Sequence, residues 1–244
     1  MLIQADASQL EWRTLLELSR DETGIEEVLG KQDVHSINEK AFTLPSRLIA
    51  KTYLFRTIYN RGKGYAFTVD PNFMHVSTSV DYWDEVGKKF YKKYKGVDEC
   101  HLAWGRLVAE GLPIIGPSGR FWSIPKGVGR FGESQIPWNT LTNYPVQGTG
   151  ADVMAVARVA FRNRLRQKEW GTIPKLRSTV HDSIVVDTPA YLREPIVNLF
   201  HQVFDDIPKI MKKLFDYDWV VPLDCECKWG PNMKDMTKVK RTDL

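Results

Sequence analysis

Two β-rich runs, STV (residues 178–180) and SIVV (residues 183–186), flank the dipeptide His181-Asp182. Runs joined by two residues fold as an antiparallel hairpin, so the chain must contain an antiparallel sheet, with Asp182 presented at a hairpin tip. LIQA (Leu2 to Ala5) is a second strand candidate, and it ends at Asp6. An isolated Asp at a strand end is ordinarily a turn residue, because its side chain bonds to its own backbone. If both strands share a sheet, however, two carboxylates meet at one rim. Such a pair suits two Mg²⁺ ions about 3.5–4 Å apart, the clamp used for in-line phosphoryl transfer.

The rest of the pattern adds helices to that sheet. SQLEWRTLLEL (Ser8 to Leu18) has helical spacing. Pro45 fits a first helical position, the segment to Asn60 lacks Gly and Pro, and Gly62 and Gly64 end it. Residues 65–80 carry little helix signal, and KKFYKKYKG (Lys88 to Gly96) is a local basic and aromatic cluster. Ile114 to Pro125 reads as a hairpin around Pro117 and Gly119. Thr149 and Asp152 form a capping-box variant that opens a helix with Val153, Val156, Ala157, Ala160 and Phe161 as its core face. Pro195 opens another helix ending near Lys213, and WVVPLDCECKW (Trp219 to Trp229) alternates as a final strand. The sum is an α+β protein whose strands share one antiparallel sheet.

Composition narrows the partners. At 244 residues the chain holds one large domain or two modest ones, and its 43% hydrophobic and 26% charged residues are those of an ordinary globular protein. A net charge of +4 permits nucleic acid without demanding it. The three cysteines, Cys100, Cys225 and Cys227, include no C-x-x-C pair, which argues for a reducing compartment and against a zinc site. No signal peptide or membrane-length apolar run is evident, so a cytoplasmic location is expected.

The segment RLIAKTYLFRTIY (residues 47–59) gives the second constellation. Arg47, Lys51, Phe55 and Tyr59 step by four and keep to one broad helical face about 18 Å long. Two cations followed by two rings suit a nucleoside triphosphate, with Arg47 and Lys51 on the phosphates and the rings against a base. An amphipathic helix with solvated cations and core rings is the plainer account. Leu48, Ile49, Leu54 and Ile58 supply a different apolar face, which leaves Phe55 and Tyr59 less needed for the core.

Taken together, these segments resemble the DNA polymerases of family A. DASQLEWR (Asp6 to Arg13) is similar to motif A, R-x-x-x-K-x-x-x-F-x-x-x-Y to motif B on the fingers helix, and VHDSIVV to motif C. They occur in family order, with NYPVQGTGAD (Asn143 to Asp152) as a further hallmark, and together cover nearly the whole chain. The resemblance implies that Asp6 and Asp182, with the backbone carbonyl of Ala7, bind two Mg²⁺ ions. It places Glu11 as the gate that excludes a ribose 2′-hydroxyl, and Gln9, His35, Arg47, Lys51, Phe55 and Tyr59 around the incoming dNTP. Lys51 is then also the general acid for departing pyrophosphate, and Phe55 implies discrimination against dideoxynucleotides. Asn143, Gln147 and His181 fall where the family touches the primer–template minor groove, and Arg13 joins the DNA-binding set, expected to ion-pair within the palm. The implied layout is palm over residues 1–30, fingers over 31–135 and palm again over 136–244.

Departures accompany the match. Ser183 stands where the family usually has Glu after the motif C Asp, Ala7 replaces an aromatic, Arg56 stands where Gly is common, and Asn60 replaces the Gly after the motif B Tyr. Arg56 could alter template handling or simply face solvent. Five residues precede Asp6, whereas family members carry a thumb and often a 3′–5′ exonuclease domain there. The resemblance therefore implies a piece without a thumb: a split-polymerase subunit paired with a second polypeptide carrying thumb and exonuclease, or a chain cut at that point. Two rivals stay open, a single-subunit RNA polymerase, which Glu11 disfavours, and a catalytically silent DNA-binding subunit.

Overall fold

Strand β1 (Leu2–Ala7) buries every second residue, Ile3, Ala5 and Ala7, and leaves Leu2, Gln4 and Asp6 partly exposed, as a strand packed on one face must. The computed structural model describes residues 1–61, 63–129 and 132–241, without the Asn60 side chain. Gly62, expected to help stop a helix, lies outside the described residues. After β1 come helices α1 (Leu10–Ser19), α2 (Glu22–Leu29), α3 (Val34–Ala41), α4 (Arg47–Asn60), α5 (Tyr65–Thr68), α6 (Val80–Lys93) and α7 (Lys95–Glu110). Two short hairpins follow, β2 (Ile114–Ile115) with β3 (Phe121–Trp122) and β4 (Gly127–Val128) with β5 (Ser134–Gln135). The chain then runs through α8 (Trp138–Arg166), β6 (Lys175–Val180), β7 (Ser183–Asp187), α9 (Arg193–Phe215), β8 (Cys225–Gly230) and β9 (Thr237–Val239). The α+β class is as expected. Two compact units emerge, residues 1–13 with 148–244, and residues 14–147. Among the described residues no helix is long and apolar enough to cross a membrane.

The first unit is built on a five-stranded antiparallel sheet in the order β6-β7-β1-β8-β9. Val180 pairs with Ser183 across the two-residue turn His181-Asp182, and His181 takes the left-handed backbone (φ 51°) that such turns require. The Ser183 hydroxyl donates to the Val180 carbonyl at 3.0 Å and closes the hairpin. Beneath the sheet lies a core of Ile3, Ala5, Ile184, Val186, Val153, Ala157, Phe161, Phe200 and Phe204. Phe161 and Phe200 stack with ring centroids 4.1 Å apart and planes 8° from parallel, which fastens α8 to α9.

The second unit is mainly helical. Its centre is a nest of aromatics in which Tyr53 and Trp83 both stack on Phe67, at 5.1 and 5.0 Å, with Phe73 edge-on to Phe67 and Trp83. Asp21 ties two helix starts together, since its carboxylate accepts from the Gly24 amide at 2.8 Å and from the Gly96 amide at 2.8 Å. Gly96 is needed there, because a Cβ would come within 2.8 Å of the Asp21 Cα.

Several sequence expectations give way to tertiary context. The strands do not share one sheet, because β2–β3 and β4–β5 stand as separate two-stranded ribbons. Pro45 is not the first residue of α4: Ser46 caps that helix, its side chain accepting from the Ile49 amide. Thr149 and Asp152 open nothing, because α8 already starts at Trp138 and carries Pro145 inside it. That proline removes one amide donor from the helical ladder, and the helix length absorbs the loss. Leu48 is 69% exposed and outside the apolar face that Ile49, Leu54 and Ile58 do form. A short helix, α5, occurs in the weakly patterned stretch 65–80, and β9 adds an edge strand after the one expected last. The Lys88 to Gly96 cluster splits. Phe90 and Tyr94 are core, and Lys93 is held by Glu27 at 2.7 Å and by the Asn38 side-chain oxygen at 2.7 Å. Lys88 stays on the surface, paired with Glu85.

Candidate active site

The register of the sheet brings the two early-noted acids together. Asp6 lies directly across from Ser183, so Asp182 is one residue from its cross-strand partner, and the Ala7 amide donates to the Asp182 carbonyl at 2.8 Å. Cross-strand neighbours in such ladders have Cα atoms about 4.5–5.5 Å apart. Burial pushes the Asp6 carboxyl above its ordinary value, and the neighbouring Asp182 charge pushes it further; Lys228 opposes and Glu226 adds to the rise. Two acids thus meet at the end of paired strands, and the Asp182 charge that raises Asp6 is one a cation would offset.

The strand then turns sharply into α1. Gln9 takes the left-handed conformation (φ 52°) and its carbonyl accepts from the Arg13 amide at 3.0 Å, so Ser8-Gln9 alone links strand to helix. Glu11 falls in the first helical turn, where a negative charge meets the positive end of the helix dipole. Ala7 turns its side chain into the core, so only its backbone is available to an ion. Arg13 is partly buried and donates to the Pro222 carbonyl, with Asp224 the nearby charge that opposes its desolvation. His181 is exposed at the hairpin turn.

Glu226 reads in the sequence only as a strand residue alternating with Cys225 and Cys227. It is the cross-strand partner of Asp6 on β8, held by Lys238 at 2.6 Å and Lys228 at 3.8 Å. The alternation C-E-C was its only signal, and register was needed to place it beside Asp6. Ser183 is buried and occupied in closing the hairpin, so the position after Asp182 offers no carboxylate.

In the helical unit the face of α4 forms as spaced. Arg47 and Lys51 are exposed, while Phe55 and Tyr59 are half-buried. His35, buried on α3, packs its ring 6.4 Å from that of Phe55. Burial lowers the His35 pKa first, and the cations Arg47 and Lys51 lower it further against the opposing Asp33. His35 is therefore neutral at pH 7, and its Nδ1 is buried without a protein partner. Arg47 grips the Asp33 carboxylate at 2.6 and 3.1 Å, an exposed pair that an anion can outcompete.

Phe55 and Tyr59 also line a cleft of about 930 Å³ with Arg56, Asp70, Trp138 and Asn143. Asn143 thus joins the ring end of α4, with its side-chain oxygen buried and unpartnered, and Gln147 is exposed one helical turn on. Arg56 does not simply face solvent: it pairs with Asp70 at 2.9 Å and donates to the Ala66 carbonyl at 2.9 Å, anchoring α5 to α4.

Comparison with known proteins agrees with this geometry. The profile of the family described as DNA polymerase family A matches residues 1–235. DNA polymerase I of Aquifex aeolicus (strain VF5) is 28% identical over 220 residues, which cover 86% of this chain and 36% of that protein. DNA polymerase I, thermostable, from Thermus aquaticus is 26% identical over 243 residues, 94% of this chain and 26% of that protein. The DNA polymerase of Mycobacterium phage L5 is 27% identical over 191 residues, 78% of this chain and 28% of that protein. The chain thus spans roughly a third or less of the length of each. Among solved structures, the POL domain of Pol1 from M. smegmatis, in complex with DNA primer-template and dNTP, superposes with a TM-score of 0.76 at 20% identity, covering 94% of this chain and 39% of that one, a likeness of fold. With a sequence match over nearly its full length and the two acids on adjacent strands, this chain belongs to DNA polymerase family A.

Proposed function

We propose that this chain carries the nucleotidyl-transfer site of a template-directed DNA polymerase, which adds dNMP from dNTP to a primer 3′-hydroxyl and releases pyrophosphate. The observation that carries the reading is the adjacency of Asp6 and Asp182 at one end of β1 and β7. In this reading residues 1–30 and 136–244 are the palm, which contains the five-stranded sheet, and residues 31–135 are the fingers. Asp6 and Asp182, with the Ala7 carbonyl, would hold two Mg²⁺ ions; the fit rests on two acids at the end of paired strands, with Asp6 raised by burial and by the Asp182 charge, which a shared cation offsets. Such ions, when bound, acidify the attacking hydroxyl and offset charge at phosphorus.

The remaining roles belong to this chain's own groups. Lys51 and Arg47 bind the triphosphate, with Arg47 exchanging its Asp33 partner for phosphate oxygens, and neutral His35 donates a hydrogen bond to the same anion. Lys51 delivers the proton that the departing pyrophosphate takes up. Phe55 and Tyr59 meet the nucleoside and its templating partner, and Gln9 contributes to the same substrate. Asn143, Gln147 and His181 test base-pair shape through minor-groove acceptors, which every Watson–Crick pair presents, and Arg13 supports the DNA-binding surface through the segment around Pro222.

Glu11 carries sugar selection, since a carboxylate packed under C2′ leaves no room for a ribose hydroxyl. Primer extension on a labelled primer–template, with dNTPs or rNTPs, tests both the activity and this role. The wild type is expected to extend with dNTPs, and Glu11→Ala to narrow the dNTP-over-rNTP preference by about 10–200-fold, the scale of a lost steric and polar contact of about 1–3 kcal/mol. Unchanged preference in an active variant removes Glu11 from this role, and preferred use of rNTPs by the wild type favours an RNA polymerase.

A further inference from the structure

On the sheet face opposite Asp6, two sulfurs and an imidazole nitrogen converge. Cys225 and Cys227 alternate with Glu226 on β8, so both sulfurs point to the buried face while Glu226 stays beside Asp6. Their cross-strand partners on β1 are Ala7 and Ala5, the smallest side chains that face offers. Above them α9 brings His201, which is buried. A ring nitrogen of His201 and the two sulfurs all lie within 4.8 Å of one another. Cys225 Sγ is 3.8 Å from His201 Nδ1, and Asp224 Oδ1 is 3.3 Å from the same nitrogen. The other ring nitrogen, Nε2, is buried without a protein partner, so Nδ1 is the atom the fold directs at the sulfurs.

We propose that His201, Cys225 and Cys227 bind one zinc ion, with the Asp224 carboxylate or water as fourth ligand, in a structural site that ties α9 to β8 beneath β1. The geometry suits tetrahedral coordination. Zinc–sulfur bonds of about 2.3 Å and zinc–nitrogen or zinc–oxygen bonds of about 2.0–2.1 Å put neighbouring donors roughly 3.3–3.8 Å apart, the span already held by Nδ1 with Asp224 and with Cys225. Two thiolates and an imidazole select zinc over magnesium, which prefers oxygen. On binding, His201 releases to solvent the Nδ1 proton that it shares with Asp224, and each cysteine still protonated releases its thiol proton, so that an imidazole lone pair and two thiolates face the ion. The two thiolate charges balance the ion, and Asp224, exposed at the rim, gives it an entry path. Sequence spacing pointed away from zinc because the histidine lies 24 residues before Cys225 and only the fold unites them.

The test uses the untagged, reduced full chain, loaded with zinc and dialysed against metal-free buffer, with metal counted by mass spectrometry. Wild type and Cys100→Ser are expected to retain about one zinc per chain, and Cys225→Ser/Cys227→Ser less than about a tenth of that. Cobalt(II) added to the metal-free wild type is expected to give the intense thiolate-to-metal charge-transfer band and visible bands of a tetrahedral site. This readout needs no variant to fold. Zinc retained by the double variant, or a folded wild type that holds no zinc and gives no cobalt thiolate band, overturns the proposal and leaves a thiol–imidazole cluster of the core.

Discussion

Asp6→Asn or Asp182→Asn is expected to reduce dNMP incorporation at least about a thousandfold, roughly 4 kcal/mol of barrier, while primer–template binding stays within about twofold. Asparagine keeps the shape of aspartate and one acceptor oxygen, but replaces the second oxygen with a donor NH2 and loses the charge. The proposed role of both residues is charge: each offers an anionic oxygen to a cation that the other also touches. Stability provides an internal control. Burial and Asp182 raise the Asp6 carboxyl in the folded state, so the fold binds that proton more tightly than the unfolded chain. Lowering pH through the range above the ordinary carboxylate value therefore stabilises the fold, and at neutral pH the Asp6 charge works against it. Asp6→Asn mimics the protonated form and should melt at or above the wild-type temperature. Thermal melts beside the extension assay separate loss of chemistry from loss of fold. A folded Asp6→Asn protein with more than about a tenth of wild-type activity contradicts the assignment.

Phe161→Ala is expected to be the most damaging single truncation in the sheet unit, costing about 3–5 kcal/mol. Phe161 and Phe200 are both fully buried and lie ring on ring at 4.1 Å, so the truncation loses the transfer energy of the ring, leaves a cavity and removes a stacked contact between α8 and α9. For a chain of this size each kcal/mol shifts the melting temperature by about 2–4 °C, giving a fall of about 6–20 °C. Val159, two residues earlier on the same helix, is 53% exposed, and Val159→Ala should move the melt by about 2 °C or less. Calorimetry of the two variants against wild type checks this; similar melting for both shows that the stacked pair is not a keystone of the core.

Local chemistry decided what could be read from the sequence. The β6–β7 hairpin was legible because two residues between β-rich runs admit few other geometries, and β1 because its alternation matches the sheet period. The spacing by four on α4 placed Arg47, Lys51, Phe55 and Tyr59 on one face. The misses all required knowledge of what lies across from a residue. Thr149 and Asp152 look like a cap, yet packing carries α8 through them from Trp138 despite Pro145. Lys93 looks like surface charge until Glu27 and Asn38 arrive from α2 and α3. Glu226, Cys225 and Cys227 looked like ordinary strand residues, and only the register with β1 and the arrival of His201 set one acid beside Asp6 and two thiols beneath it. Asp33, which holds Arg47 across 14 residues, was equally invisible to spacing.

The central claim is that one cation site is shared by Asp6 and Asp182. Anomalous diffraction from crystals of this chain soaked in Mn²⁺, a stand-in for Mg²⁺, measures it most directly. The account predicts an anomalous peak within about 2.5 Å of a carboxylate oxygen of each aspartate. A peak that touches only one of them, or no peak at that end of β1 and β7, would contradict it.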